Sequence, residues 1–395
     1  MVSNVDERMK DRAFRTLDGI RGVAALCIVV LHSHRYFGDP LPSAQMAVDL
    51  FFVLSGFVLA HAYEERFREG MSPWRFMLAR YVRLYPVYLL GIILGLVQAL
   101  SMMRYQGQEV MENHPDQEWT WLLTDLPFAA LMLPDPFAAA LFPLNGIMWS
   151  IFFELLANLV WVLSRRLLES TKVLVGVVLV SGALFTGAAL WWDSTALGVG
   201  WDTFAGGLAR VLYSFMLGVL LHRLHRTVQV PRIHPLLLLG VLPVLAAFDL
   251  STVGQLFCAL VVLPLLVLLG AKAEPQGGTA YLCSRIGLAS YAVYALHKRL
   301  YMLSCGVLLQ FFGLRVEQYA PWGGLVFLAL LVSVCVLLVD RFETPARRAL
   351  SRRLIPSRVV TSTVIASPPR QSEDPDAGQD NSRPQVGPSS KDSWK

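Results

Sequence analysis

Residues 17–37 read LDGIRGVAALCIVVLHSHRYF, an apolar run that carries Arg21 and, eleven positions later, His32. At about 100° and 1.5 Å per residue, that step is roughly three turns and about 16 Å, so both side chains lie on one helical face. A charged residue in the middle of a membrane helix costs roughly 2.5–3.5 kcal/mol, and such residues tend to face the bundle interior or a wet cavity. The stretch therefore predicts a spanning helix with a polar path along one side, Arg21 near one end and His32 near the other.

The rest of the 395-residue chain agrees with a membrane setting. It is 55% hydrophobic and only 16% charged, with a mean hydropathy of +0.50, whereas soluble domains carry about 25% charged residues. About ten apolar stretches reach the roughly 20 residues needed to span a bilayer core: 17–36, 46–62, 77–101, 146–164, 172–191, 204–222, 235–249, 252–270, 284–311 and 322–342. The expected fold is all-α and polytopic. Residues 1–16 precede the membrane domain at 17–348. Residues 349–395 form a basic and then polar tail, too poor in large apolar residues from about 357 to order itself. The segment 119–133 reads as an interfacial helix interrupted by Asp125 and Pro127.

Charge sets the orientation. The N-terminus and connections 63–83, 165–172, 222–234 and 341–353 are rich in Lys and Arg, while the alternate connections are poor and 102–145 is acidic. The positive-inside rule then puts both termini in the cytoplasm. The net charge of +5 is a topology signal and gives no reason to invoke nucleic acid. The first apolar run is too long, and interrupted by Arg21, to be a cleaved signal peptide. Cys27, Cys258, Cys305 and Cys335 fall inside spans and Cys283 in a connection, which suggests neither disulfides nor a metal site.

Depth brings further polar groups together. His32 falls about 8 Å below the outer surface of a core about 30 Å thick, Ser55 about 10 Å and Glu154 about 13 Å, with His297 close to the level of His32. Ser150, Glu154 and Asn158 share one helical face, as do Ser290, Tyr294, His297 and Tyr301. A buried Glu needs a partner, and a histidine is the expected one. Ser55 alone reads as interhelical glue, and His222, His225 and His234 read as solvated loop residues. His34 lies well round the helix from His32 and reads as an interface residue. Arg80 and Arg83, at i and i+3, would suffice as snorkelled anchors singly; as a pair facing Arg21 they suit a phosphate.

The stretches LDGIRGVAALCIVVLHSH, VDLFFVLSGFVLA, FMLARYVRLYPVY, NGIMWSIFFELLANLVW, SYAVYALH and FETPARR resemble, in order and position, the membrane-bound acyltransferase-3 family. That family includes bacterial O-acetylases of surface polysaccharides and of secondary metabolites. The resemblance implies a ten-helix domain that takes an acyl group, commonly acetyl, from cytoplasmic acyl-CoA to a hydroxyl on the far side of the bacterial inner membrane. It implies donor binding by Arg21, Arg80 and Arg83 and an essential His32. Two departures stand out: the chain ends in a short polar tail where some members add a span and a secreted-side domain, and Lys298 and Arg299 are unusually basic for the ninth span.

The expected activity is an O-acyltransferase without a metal, using acyl-CoA as co-substrate and an envelope or exported carbohydrate as acceptor. His32 acts as general base or acyl carrier, Glu154 or a hydroxyl orients it, and Ser55, Ser150, Tyr294 and His297 line the site. A secondary transporter or flippase needs the same intramembrane His, Glu and Arg, but no pair of Gly/Pro-broken spans occurs in corresponding halves. A structural scaffold leaves Arg21 and His32 without a reason. The acceptor's identity and the oligomeric state stay open, a homo-oligomer included.

Overall fold

A computed structural model describes residues 14–105 and 120–355. The helices are α1 (Arg15–His32), α2 (Ala47–Arg68), α3 (Pro73–Tyr105), α4 (Thr120–Ala130), α5 (Trp149–Leu163), α6 (Thr171–Trp191), α7 (Phe204–Leu224), α8 (Pro235–Ala246), α9 (Thr252–Gly270), α10 (Gly277–Phe312) and α11 (Trp322–Leu354). No strand occurs among the described residues, only one isolated bridge between Ala140 and Gly200. Each expected apolar stretch is helical. Among the described residues, seven helices are long and apolar enough to cross a membrane, which makes this an all-α polytopic membrane protein. Charged and polar positions keep α1 and α10 out of those seven, and α8 is shorter. The tail after residue 355 and residues 106–119 of the acidic 102–145 connection lie outside the described residues.

The bundle centres on two close helix pairs, α1 with α10 and α2 with α7. Both rely on missing side chains. A Cβ on Gly56 of α2 would stand 2.0 Å from the Phe215 carbonyl oxygen, and one on Gly218 of α7 2.1 Å from that of Val53. In the first pair, a Cβ on Gly287 of α10 would meet Asp18 at 2.6 Å. Small residues let membrane helices approach backbone to backbone, where dispersion and interhelical hydrogen bonds replace the missing hydrophobic drive. That contact fixes the register of α10 against α1, and hence which polar groups meet.

Several boundaries differ from expectation. The first helix stops at His32; a short separate helix, His34–Phe37, follows the break at Ser33. His32 is thus the last residue of α1, and His34 is exposed. Helix α4 runs through Asp125 and Pro127 rather than being interrupted, because Asp125 turns aside to accept the Leu144 amide at 2.9 Å. Cys283 lies inside α10, fully buried against Gly19. His222 and His225 are not solvated: they close α7 among Phe14, Phe57 and His61, with His225 buried and His222 Nδ1 3.5 Å from Glu64.

Two π-turns interrupt otherwise regular helices, at Cys258–Val262 in α9 and Val339–Glu343 in α11. The extra residue per turn in such bulges re-aims the side chains that follow, and π-bulges cluster at functional sites. The second one ends on Glu343, which is almost completely buried.

Candidate active site

The α1–α10 contact is stitched by polar groups at both ends. Near its start, Arg21 donates from Nε to the Ser290 hydroxyl at 3.0 Å and from Nη2 to Asp18 at 2.7 Å and the Gly287 carbonyl at 3.1 Å. At the end of α1, His32 Nδ1 lies 2.9 Å from His297 Nε2, with the two rings stacked at 24°. The stripe read from the α10 sequence is internal, with Ser290, Tyr294, His297 and Tyr301 all buried.

Hydrogen-bond direction assigns the protons of the two histidines. His297 Nδ1 faces the carbonyl oxygens of Tyr294, at 2.7 Å, and Val293, at 3.2 Å. A carbonyl only accepts, so His297 carries its proton on Nδ1 and presents a bare Nε2. The proton between the rings must then sit on His32 Nδ1. What is left is the lone pair on His32 Nε2, and His32 lines a cavity of about 980 Å³. A backbone carbonyl, relayed through His297, holds His32 in the tautomer a base or nucleophile needs.

A second, smaller cavity of about 220 Å³ is lined by Arg21, Ser55, Arg80, Arg83, Ser150 and Glu154, among others. Each arginine here has a carboxylate. Arg80 Nη2 donates to Glu154 at 2.7 Å, and the Ser55 hydroxyl donates to the same Glu154 oxygen at 2.6 Å. Arg83 donates to Glu343 at 3.0 Å, which the π-turn in α11 delivers. Arg80 Nε is buried without a partner, and the Arg21 and Arg83 side chains keep about a third of their surface, at 32% and 31%. The arginines are held in place but not used up.

The four groups placed at one depth therefore do not share one chamber. His32 lines the larger cavity, Ser55 and Glu154 the smaller, and His297 lies behind His32. Nor does Glu154 have a histidine for a partner. A guanidinium is permanently charged and forks onto carboxylates, so Arg80 takes Glu154 and leaves His32 to His297. The two cavities meet at Val48 and Tyr294, which line both. The Tyr294 hydroxyl is fixed there by Ser150 at 2.6 Å and its ring stands edge-on to Phe51.

Sequence reasoning passed over a buried pair in the support of this site. Arg210 of α7 donates from Nε and Nη2 to the two oxygens of Asp49 at 2.7 and 2.8 Å, both residues about 1% exposed. Trp149 stacks its ring 5.7 Å from the Arg210 guanidinium carbon. The signal existed: an acid and an arginine, each inside an apolar run, need each other. Glu343 stood in FETPARR without a stated role, since nothing in that motif announces a π-turn. Beside the larger cavity, burial pushes the Asp125 carboxyl up to about 6, opposed by its bond from the Leu144 amide.

Residues 14–340 match the acyltransferase family described as an acyltransferase domain. The chain belongs to the acyltransferase-3 family. Over 158 residues it is 42% identical to a protein of Rhizobium radiobacter named protein 2 in picA locus, covering 38% of this chain and 80% of that one. Over 172 residues it is 28% identical to acyltransferase MdmB of Streptomyces mycarofaciens, covering 40% of this chain and 41% of that one. No solved structure matches. Acyl transfer in a membrane protein is therefore the activity of this family member.

Proposed function

We propose that the protein is an O-acyltransferase of the bacterial cytoplasmic membrane that moves an acyl group, acetyl by family resemblance, from cytoplasmic acyl-CoA to a hydroxyl of an envelope or exported carbohydrate. The observation that carries the reading is the chain of contacts from the Tyr294 carbonyl through His297 to His32 Nδ1, which leaves Nε2 as the free nitrogen of a residue that lines the larger cavity. The basic connections at 63–83 and 341–353 favour a cytoplasmic position for the Arg21 end.

Arg80 and Arg83, with Arg21, would hold the phosphates of the donor; the orphaned Arg80 Nε supports that fit. The smaller cavity, about 220 Å³, falls below the roughly 300–1,000 Å³ that enclose a drug-sized ligand. It suits the narrow arm of the donor, with the nucleotide outside. His32 Nε2 takes the proton of the acceptor hydroxyl as the oxygen attacks the thioester carbon. The carbon–sulfur bond breaks, the acyl–oxygen bond forms, and the thiolate of CoA receives the proton. The alternative order, in which Nε2 itself attacks and carries the acyl group to the acceptor, uses the same lone pair.

Purified protein, radiolabelled acetyl-CoA and cell-envelope extract test the reading. Wild type is expected to release CoA and label a hydroxyl-bearing product, and His32→Ala is expected to do neither. Acyl transfer by His32→Ala at the wild-type rate contradicts the role of His32. No consumption of acyl-CoA by either form favours a transporter without acyl chemistry.

A further inference from the structure

Lys298 follows His297 directly and lines the same cavity as His32. It is the anomaly of the site. Arg21, Arg80, Arg83, Arg210 and Arg223 each reach a carboxylate within 3.0 Å. Lys298 makes no ion pair or hydrogen bond to any described residue, although it is half-buried, and a Cβ on Gly146 would stand 3.9 Å from its Nζ. Arg299 beside it also lines the cavity. Its Nη1 donates to the neutral Gln98 amide oxygen at 2.7 Å, and its Nε is buried without a partner.

Among the described residues no carboxylate forms an ion pair with Lys298, and Asp125 acts only at longer range on Arg299. Asp135 lines the cavity, but its Oδ1 accepts the Phe137 amide at 2.8 Å. Asp125 accepts the Leu144 amide. Removing a cation from water without a counter-charge is expensive, and proteins offset the cost with a paired anion. Lys298, left without one at the wall of a cavity with a free base, leaves that counter-charge to be supplied by what enters.

We propose that the His32 cavity takes acceptors carrying an oxyanion, a carboxylate or a phosphate, close to the hydroxyl that is acylated. Lys298 holds the anion and Arg299 backs it. The hydroxyl's fate rests on the acyl-transfer reading; the anion's place rests on the cavity alone. At about 980 Å³ the space is at the top of the roughly 300–1,000 Å³ typical of small-molecule sites, ample for a charged sugar.

The test is calorimetric binding to full-length protein in detergent at low salt, with three probes: methyl β-D-glucuronide, glucose 1-phosphate and the neutral methyl β-D-glucoside. A charged hydrogen bond predicts that at least one anion binds about tenfold or more tightly than the glucoside. The order of the two anions tells a sugar carboxylate from a phosphate. Lys298→Gln should erase the preference without changing glucoside binding, Lys298→Arg should keep most of it, and Arg285→Gln, outside both cavities, should leave it intact. Equal affinities, no binding of either anion at tens of millimolar, or a preference that survives Lys298→Gln would overturn the proposal. CoA release from acetyl-CoA, measured on the same preparation, separates the two readings. Anion preference without release removes the acyl-transfer reading and keeps the anion site; release without preference does the reverse.

Discussion

The two cavities treat charge in opposite ways. At the Arg21 end every arginine is locked to a carboxylate: Asp18, Glu154 or Glu343. At the His32 end a histidine is partnered by a histidine, and neither Lys298 nor Arg299 makes a close ion pair with a carboxylate among the described residues. The first arrangement holds cations rigid in a low-dielectric place with donors to spare. The second keeps an imidazole free of any fixed negative charge, so its lone pair is set by tautomer rather than by ion pairing. Under the proposed function, one end holds and the other reacts.

The buried pair between α2 and α7, Arg210–Asp49, gives the largest expected effect. Breaking a buried salt bridge from one side costs about 3–5 kcal/mol, because the remaining charge is stranded. Asp49→Asn or Arg210→Met should therefore lower thermal stability sharply in detergent, and the double variant Asp49→Asn/Arg210→Met should recover much of the loss. A single variant that melts with wild type would show that α2 and α7 are held by the glycine contact alone.

Next comes the compensated end. Arg80→Gln/Arg83→Gln should raise KM for acyl-CoA by roughly 10- to 100-fold, the range of a lost charge-assisted hydrogen bond, with a smaller effect on kcat. An unchanged KM would remove the donor role from this end. Glu154→Gln separates the expected imidazole-orienting role from the observed one. It frees Arg80 of its counter-charge and keeps an acceptor for Ser55, so transfer should stay within about tenfold of wild type, about 1.4 kcal/mol. A loss as deep as that of a base would mean Glu154 serves His32 after all.

The smallest effect belongs to Asp125. Its carboxyl is pushed up by burial to about 6, against about 3.9 in an unfolded chain. The folded state thus disfavours the ionised form, and the penalty grows as pH rises from about 4 to 6 and is full above that. Asp125→Asn should match wild type in thermal stability near pH 4 and exceed it modestly at pH 8. Identical curves at both pH values would contradict the burial argument.

Much of this was legible in the sequence because hydrophobicity and charge act locally. Apolar runs marked the helices, and the spacing of Arg21 to His32 and of Ser290 through Tyr301 marked their inner faces. What could not be read was partner choice. His32 goes to His297 because Gly287 seats α10 on Asp18, and Glu154 goes to Arg80 across α5 and α3, contacts between residues far apart in the chain. A π-turn that delivers Glu343 and a helix that ends at His32 instead of continuing to Tyr36 leave no periodic trace either.

The most direct test of the central claim compares His32→Gln with His297→Gln in single-turnover acyl transfer, with acyl-CoA binding measured alongside. A glutamine at 297 can still accept the Nδ1 proton of His32 through its amide oxygen, whereas a glutamine at 32 has no basic lone pair. Loss of a general base costs about 10²–10⁴-fold, so His32→Gln should fall in that range with donor binding intact. His297→Gln should stay within about tenfold, since it preserves the hydrogen bond that sets the tautomer. A His297→Gln variant as inactive as His32→Gln, or an active His32→Gln, would contradict the assignment of Nε2 of His32 as the reacting atom.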